Sequence, residues 1–375
     1  MSEENIELNA EKCIVDGKEY SLYEIENMSI DKFSLCSHMF PYKSLFRYYP
    51  NIRKYIKEEK RYRNYSFESL VNNTIFLQDA KNFDDCFDCA VDLDFNKFLY
   101  NRTNKYCEYF KININDEKNI NVWLYKLSVL FYECGTIEKV VTYSTPCNDE
   151  VQKLTIENFV LNVFDGVINN NMQWQEAICN AISKEYIAFC DSLSNFRICC
   201  FSTSPYLNRM WSSAYANNNQ GFCIEYEIDL NDPKNQDLNN SIFPVIYSQK
   251  RNDFATLSNN VDNSPLKDDL WQMYFNGLLR KSEHWEDQKE WRLILHKGFI
   301  TQNPLPFFKI KKVYLGNKMP DKERLKIIKH CKKHSIEYVG IIRKNDSFDL
   351  IECNGDCAKC YIKKSKKKIK KCIQP

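Results

Sequence analysis

The chain has 375 residues, 43% apolar and 27% charged, with a net charge of +2. That length and balance describe a soluble globular protein with room for a substantial core, and they exclude a polycation that holds nucleic acid by charge over its whole surface. No run approaches the ~20 apolar residues of a membrane span. The seventeen cysteines follow a start, MSEENIELNAEK, without an apolar signal segment, so a reducing cytoplasm and mostly buried thiols are expected instead of a disulfide scaffold.

Residues 1–40 read as a small appendage, with a hairpin signalled by Asp16-Gly17 between two β-prone runs. Residues 44–50, SLFRYYP, predict a short strand stopped by Pro50, with Arg47 as its single cation and Tyr48 beside it. Residues 51–65 are basic and polar and suit a loop or an exposed helix. A helix start follows at Ser66, and a strand is expected over 74–77. The block NFDDCFDC, residues 82–89, gathers three carboxylates among aromatics. It suits a helix cap and turn; the alternative is a hard-cation site, because such ions want clustered oxygens.

Apolar residues recur at three- and four-residue steps through 117–195, which predicts a helical insertion. In its last helix Trp174, Ala177, Ile178, Ala181, Ile182, Tyr186 and Phe189 share one face. A buried strand is then expected over 196–201, followed by Ser202-Thr203-Ser204-Pro205, whose hydroxyls and proline suit a strand end and a helix start. A short helix carries Met210, Trp211 and Tyr215, and Gly221 turns the chain into a second strand over 222–228. Sites are often built at such handovers from strand to helix.

Beyond it come a strand over 243–247, a polar loop over 252–266 and an amphipathic helix over 266–280. KSEHWEDQKEWRLIL, residues 281–295, joins a polar loop to a strand. Strand alternation puts Gln288, Glu290 and Arg292 on one side and Trp291 and Leu293 on the other. A strand over 308–315, a helix over 322–334 and a strand over 338–343 complete a single α+β domain over 41–350. The tail, 351–375, changes character. Cys353, Cys357 and Cys360, with Cys372 farther on, have spacing close to that of structural zinc sites. An iron–sulfur cluster and free or redox-active thiols are the alternatives. His330 and His334, four apart, suit solvated positions or an added ligand. Lys363, Lys364, Lys366, Lys367, Lys368, Lys370 and Lys371 make either a solvated terminus or a phosphate-binding arm for RNA or DNA.

Four blocks, taken in order, resemble the bacterial family called domain of unknown function 2971. They are Leu45-Phe46-Arg47-Tyr48; Phe76-Leu77 with 82–88; Cys200-Phe201-Ser202 with Met210-Trp211, Tyr215-Ala216 and 221–226; and Lys281, Trp285 and Glu290-Trp291-Arg292. Asp84 and Cys86 depart from that family's usual asparagine and proline. The order Arg47, Ser202-Thr203-Ser204 and Gln288-Lys289-Glu290 also resembles the arginine–serine–glutamate class of ADP-ribosyltransferases. This second resemblance implies a mostly antiparallel split sheet and NAD-dependent transfer of ADP-ribose to a protein or nucleic-acid acceptor, as in bacterial toxins and phage-defence effectors. It also implies roles. Glu290 stabilises the oxocarbenium-like state, Arg47 holds the pyrophosphate, and Ser202 anchors the nicotinamide ribose or holds Glu290. Thr203 and Ser204 brace the strands, Gln288 orients the acceptor, and Tyr48, Trp211 and Tyr215 offer stacking surfaces. The alternatives are NAD hydrolysis and a non-catalytic nucleic-acid- or protein-binding module of a defence system. In the plainest reading, Glu290–Arg292 is an ion pair, Ser-Thr-Ser-Pro a helix cap and Arg47 a surface residue.

Overall fold

The computed structural model describes residues 12–21, 24, 25, 28, 33, 34, 43–83, 85, 88–114, 119–144, 150–251, 253–255 and 277–353. Its contacts divide the chain into two units. One comprises Met1–Cys89, Asn195–Lys250 and Leu278–Pro375, the other Ala90–Ser194 and Arg251–Gly277.

The second unit is helical. Its helices are Phe95–Tyr109, Ile120–Cys134, Ile137–Tyr143, Glu150–Asn170 and Trp174–Leu193, so the helical content begins ahead of the expected 117. Thr136 caps the third by accepting from the Lys139 N–H, directly after Gly135 has closed the second at φ +67°. Ala177, Ile178, Ala181, Ile182 and Phe189 are buried along the expected face. Phe131, Phe164 and Trp174 pack their rings together, and Arg102 pairs with Glu185 at 2.8 Å.

Strands dominate the first unit. β1 (Lys12–Val15) and β2 (Lys18–Ser21) form the expected hairpin, and both turn residues, Asp16 and Gly17, take positive φ. β3 (Ser44–Tyr49) precedes a hairpin of β4 (Lys54–Ile56) and β5 (Arg61–Arg63), where the sequence suggested a loop or helix. Tyr55 and Tyr62 pair across this hairpin, and Lys60 closes its turn at φ +49°. β6 (Thr74–Ile75) and β7 (Gln78–Asp79) are short. β8 (Phe196–Ser202) and β9 (Phe222–Glu227) flank the predicted short helix, Asn208–Ser212. The single strand expected over 243–247 is two strands, β10 (Ile242–Pro244) and β11 (Ile246–Ser248), which serve different sheets. Pro244 has no N–H to give a ladder and sits on an edge strand, as such a residue must. β12 (Arg280–Ser282), β13 (Glu290–His296), β14 (Leu305–Pro306), β15 (Ile310–Leu315), β16 (Glu337–Arg343) and β17 (Leu350–Glu352) follow. The helix Asp321–Lys333 links the parallel pair β15 and β16. Most of the helix expected over 266–280 lies outside the described residues.

The large sheet runs β10-β13-β8-β3-β9-β15-β16-β17, with β7 also on β8. Apart from β15–β16 its pairs are antiparallel, so the unit is α+β with a mostly antiparallel sheet. A smaller sheet runs β12-β11-β1-β2. One irregularity positions the site. β3 keeps a ladder with β9 from Ser44↔Glu227 to Tyr49↔Phe222 but meets β8 at the single pair Phe46↔Ser202. The two strands part beyond that pair, and farther along β8 its partner is β7. A Cβ on Gly221 would collide with the carbonyls of Tyr49 and Ala216, so only glycine allows the end of β3 this close to the turn before β9.

Candidate functional site at the split of the sheet

A cavity of about 270 Å³ opens where β3 and β8 separate. Arg47 and Tyr48 line it from β3, Cys199 and Cys200 from β8, and Met210 and Tyr215 from the strand-to-helix turn. Asp88, Lys281, Gln288 and Glu290 complete the polar wall. Arg47 is thus brought beside Gln288 and Glu290, although it lies far from them in the chain.

Glu290 opens β13 opposite Ser202. Its carboxylate is 6% exposed and receives Lys281 Nζ and Arg292 Nε, each at 2.7 Å. Asp88 takes the other side of both cations, at 3.1 Å from Lys281 and 2.6 Å from Arg292. Two acids and two bases therefore form a buried, charge-balanced quartet, the arrangement that lets ions leave water without an uncompensated charge. Burial alone would raise the Glu290 pKa, but Arg292 and Lys281 more than offset it and bring it down to about 2. Lys281 is held above its ordinary value, because Glu290 and Asp88 outweigh its desolvation. Glu290, Lys281 and Arg292 are thus each held in the charged form at neutral pH.

The small sheet explains how Lys281 arrives there. β12 pairs in parallel with β11, setting Lys281 beside Tyr247, whose hydroxyl accepts the Glu290 N–H at 2.8 Å. Gln288 ends a 3₁₀ turn, Glu283–Gln288, and Lys289 takes φ +47° before β13 begins. Strand alternation therefore does not place Gln288, as the sequence had suggested; the left-handed Lys289 does. Gln288 Oε1 accepts from Lys281 Nζ at 2.9 Å, while its Nε2, buried in a residue 2% exposed, has no partner among the described residues. An orphaned donor on a cavity wall calls for an acceptor from a ligand or an ordered water.

Arg47 is held by Cys199 Sγ and by the Phe76 carbonyl, with its guanidinium over the Tyr49 ring. Three contacts orient the fork and make it a cavity residue instead of a loose surface cation. Burial pushes the Cys199 thiol up to about 11 despite Arg47, and it also raises Cys200. No thiolate nucleophile is therefore available on this wall near neutral pH.

Several sequence assignments are corrected. Ser202 is buried; its hydroxyl donates to the Gln288 carbonyl at 2.8 Å, so it positions the turn before Glu290 and does not bond the Glu290 carboxylate. Thr203 bridges to the Lys289 carbonyl through its backbone N–H, whereas the Ser204 carbonyl accepts from the Tyr48 hydroxyl; neither residue lines the cavity. Trp211 is a core residue, edge-on to Tyr48, with its indole N–H donated to the Pro205 carbonyl at 2.7 Å. It offers no stacking surface. Tyr215, 39% exposed on the cavity wall, can. In the acidic block, Asp88 pairs with two cations of the protein, Lys281 and Arg292, and Asp84 lies outside the described residues. Among the described residues no group of His, Cys, Asp and Glu is placed to hold a metal ion. Cys353 is half-buried, and Cys357, Cys360, Cys372 and the tail lysines lie outside the described residues. His330 and His334 stack side by side at 4.5 Å between ring centroids. No described helix is long and apolar enough to cross a membrane.

The Glu290–Arg292 ion pair of the plainest reading is present, but the sequence did not show the quartet that contains it. Asp88, Lys281 and Arg292 all stood within the resembling blocks, yet nothing local signalled that two acids and two bases from three segments would meet.

A family model described as "Protein of unknown function (DUF2971)" matches residues 210–293. That match supports the family resemblance read from the sequence, and it spans Met210, Tyr215, Lys281, Gln288, Glu290 and Arg292 but neither Arg47 nor Asp88. No curated protein and no solved structure matches the chain.

Proposed function

We propose that the cavity at the split is an NAD site and that the protein transfers ADP-ribose to a macromolecular acceptor. The observation that supports this reading is convergence: an oriented arginine, an ionised glutamate and a glutamine with a spare donor line one cavity in a mostly antiparallel sheet. At about 270 Å³ the cavity falls just below the ~300–1,000 Å³ typical of small-molecule pockets. It therefore suits the nicotinamide–ribose half of NAD, with the remainder toward the rim.

In the proposed reaction the bond from ribose C1′ to nicotinamide breaks, and its electron pair leaves with nicotinamide. The cationic ribose is captured by a nucleophile of the acceptor, whose proton passes to solvent. A carboxylate has about four acceptor positions, and the two cations occupy one on each Glu290 oxygen. The remaining capacity serves a ribose hydroxyl, oriented by a quartet that carries no net charge. Arg47 keeps N–H donors for the pyrophosphate, which its planar fork matches better than a lysine does. Gln288 Nε2 donates to the ribose or the acceptor.

The test is incubation with NAD labelled on the adenylate phosphate, with and without cell lysate. Label transferred to a macromolecule is the expected outcome. Free ADP-ribose alone would make the protein a hydrolase, and unaltered NAD would leave a non-catalytic module. Arg47→Lys should lower turnover by at least ~10-fold, with a modest fall in melting temperature from the lost contacts to the Phe76 carbonyl and the Tyr49 ring.

A further inference from the structure

The β4–β5 ribbon plays no part in the cavity chemistry, yet its surface is unusual. Residues 51–65 hold six cations against two carboxylates in a chain whose net charge is only +2. On one face Tyr55 and Tyr62 are 52% and 69% exposed, paired edge to face with ring centroids 5.2 Å apart. Tyr65 lies exposed just beyond β5, with the Arg63 guanidinium 4.8 Å over its ring. Lys54, Lys57 and Lys60 are exposed, and Arg61 and Arg63 are partly answered by Glu59 and Glu68.

This basic surface continues beyond the ribbon. Arg53 pairs with Glu323 at 3.0 Å, fixing the ribbon to the helix Asp321–Lys333. That helix exposes Lys322, Lys326, Lys329, Lys332 and Lys333, and Lys326 Nζ stands 3.6 Å from the Phe67 ring centre. Open aromatic rings interleaved with lysines match a polymer that alternates flat bases with phosphates. Single strands offer both groups, whereas a duplex hides its base faces.

We infer that the β4–β5 ribbon and the adjoining helix face bind single-stranded RNA or DNA. Bases stack on Tyr55 and Tyr62, and phosphates meet Lys54, Lys57, Lys60 and the lysines of the helix. β4 begins shortly after Pro50, which lines the cavity, so a bound strand is held near the proposed NAD site. The inference stands without the NAD reading; where both hold, the strand is the acceptor.

The experiment is fluorescence anisotropy of the full chain with labelled 20-nucleotide oligouridylate and oligothymidylate, without NAD, between 50 and 200 mM salt. Binding that weakens with salt is expected. Tyr55→Ala with Tyr62→Ala should weaken it ~10-fold or more at an unchanged salt slope, since stacking releases no counterions. Lys54→Ala, Lys57→Ala and Lys60→Ala together should reduce the slope by about 0.7 per lysine. Melting curves of these surface variants confirm that they fold. Absent binding, equal affinity in both variants, tighter binding of a duplex of the same length, or equally strong competition by polyglutamate would each overturn the inference. NAD consumption is measured separately, so either idea can fail alone.

Discussion

β3 has two neighbours in the large sheet and meets them in opposite ways. On the β9 side a full ladder holds the strands, and hydroxyls stitch the side chains together: Tyr49 with Tyr226 at 2.9 Å, and Ser44 and Tyr314 each donating to Glu225 at 2.8 Å. On the β8 side one residue pair remains, and the wall beyond it is built from the Asp88–Lys281–Glu290–Arg292 quartet. Both flanks bury a glutamate with a lowered pKa. The difference lies in what surrounds each one. Where ladder bonds already fix the strands, two hydroxyls and Lys311, itself half-exposed, suffice for Glu225. Where the ladder stops, full ionic charges cross-link three segments and leave a cavity beside them.

The sharpest way to break this comparison is to remove one cation of the quartet. Arg292 is fully buried, and Arg292→Met leaves Asp88 and Glu290 sharing Lys281 alone. Removing one partner of a buried ionic cluster costs about 3–5 kcal/mol, so chemical denaturation should show a loss of that order. A loss below about 1 kcal/mol would mean that water reaches the quartet and that the flank is not sealed by charge.

Acid should separate the flanks next. With its folded pKa brought down to about 2, below the unfolded value, Glu290 contributes stability that is complete above about pH 5 and disappears as pH falls toward 2. The amount is about 3 kcal/mol. Glu225, lowered in the same direction by Lys311 and by the Tyr314 and Ser44 hydroxyls against its burial, acts with the same sign. Glu290→Gln should therefore be less stable at pH 7 and show a flatter acid limb in denaturant titrations. An unchanged limb would assign acid sensitivity to other carboxylates.

A smaller effect is expected on the stitched side. Tyr49→Phe removes one hydroxyl from the Tyr49–Tyr226 bond while the ladder remains, so a loss of about 1 kcal/mol is expected from urea midpoints. If it matched the Arg292→Met loss, hydroxyl stitching would matter as much as the quartet.

Much of the stitched flank was legible in the chain itself. Residues 222–227 and 310–315 are β-prone runs with clear punctuation, and Gly221 marked the turn into β9. The open flank was less legible because its logic is nonlocal. Lys281 gains its role only when β12 pairs with β11, and Asp88 only when its loop reaches β13. The β4–β5 hairpin escaped notice because charged residues surround its tyrosines and no apolar alternation shows through. Trp211 misled for the opposite reason: a large aromatic beside a hydroxyl cluster suggests a stacking surface, but the turn folds its indole back onto Pro205.

The smallest expected change in stability is also the one most specific to the cavity. Gln288 touches the quartet only through its Oε1 contact with Lys281, which retains Asp88 and Glu290 when that contact is lost. Its Nε2 is buried without a partner, so Gln288→Met gives up one useful hydrogen bond and relieves one unsatisfied donor. These terms oppose each other at roughly 1 kcal/mol apiece, and the melting temperature should hardly move. Binding should respond differently, because a ligand that satisfies Nε2 in wild type meets a thioether in the variant. NAD titrations by calorimetry should show affinity lower by about 10-fold. Equal affinity in the two proteins would mean that Gln288 faces the cavity without recognising its occupant.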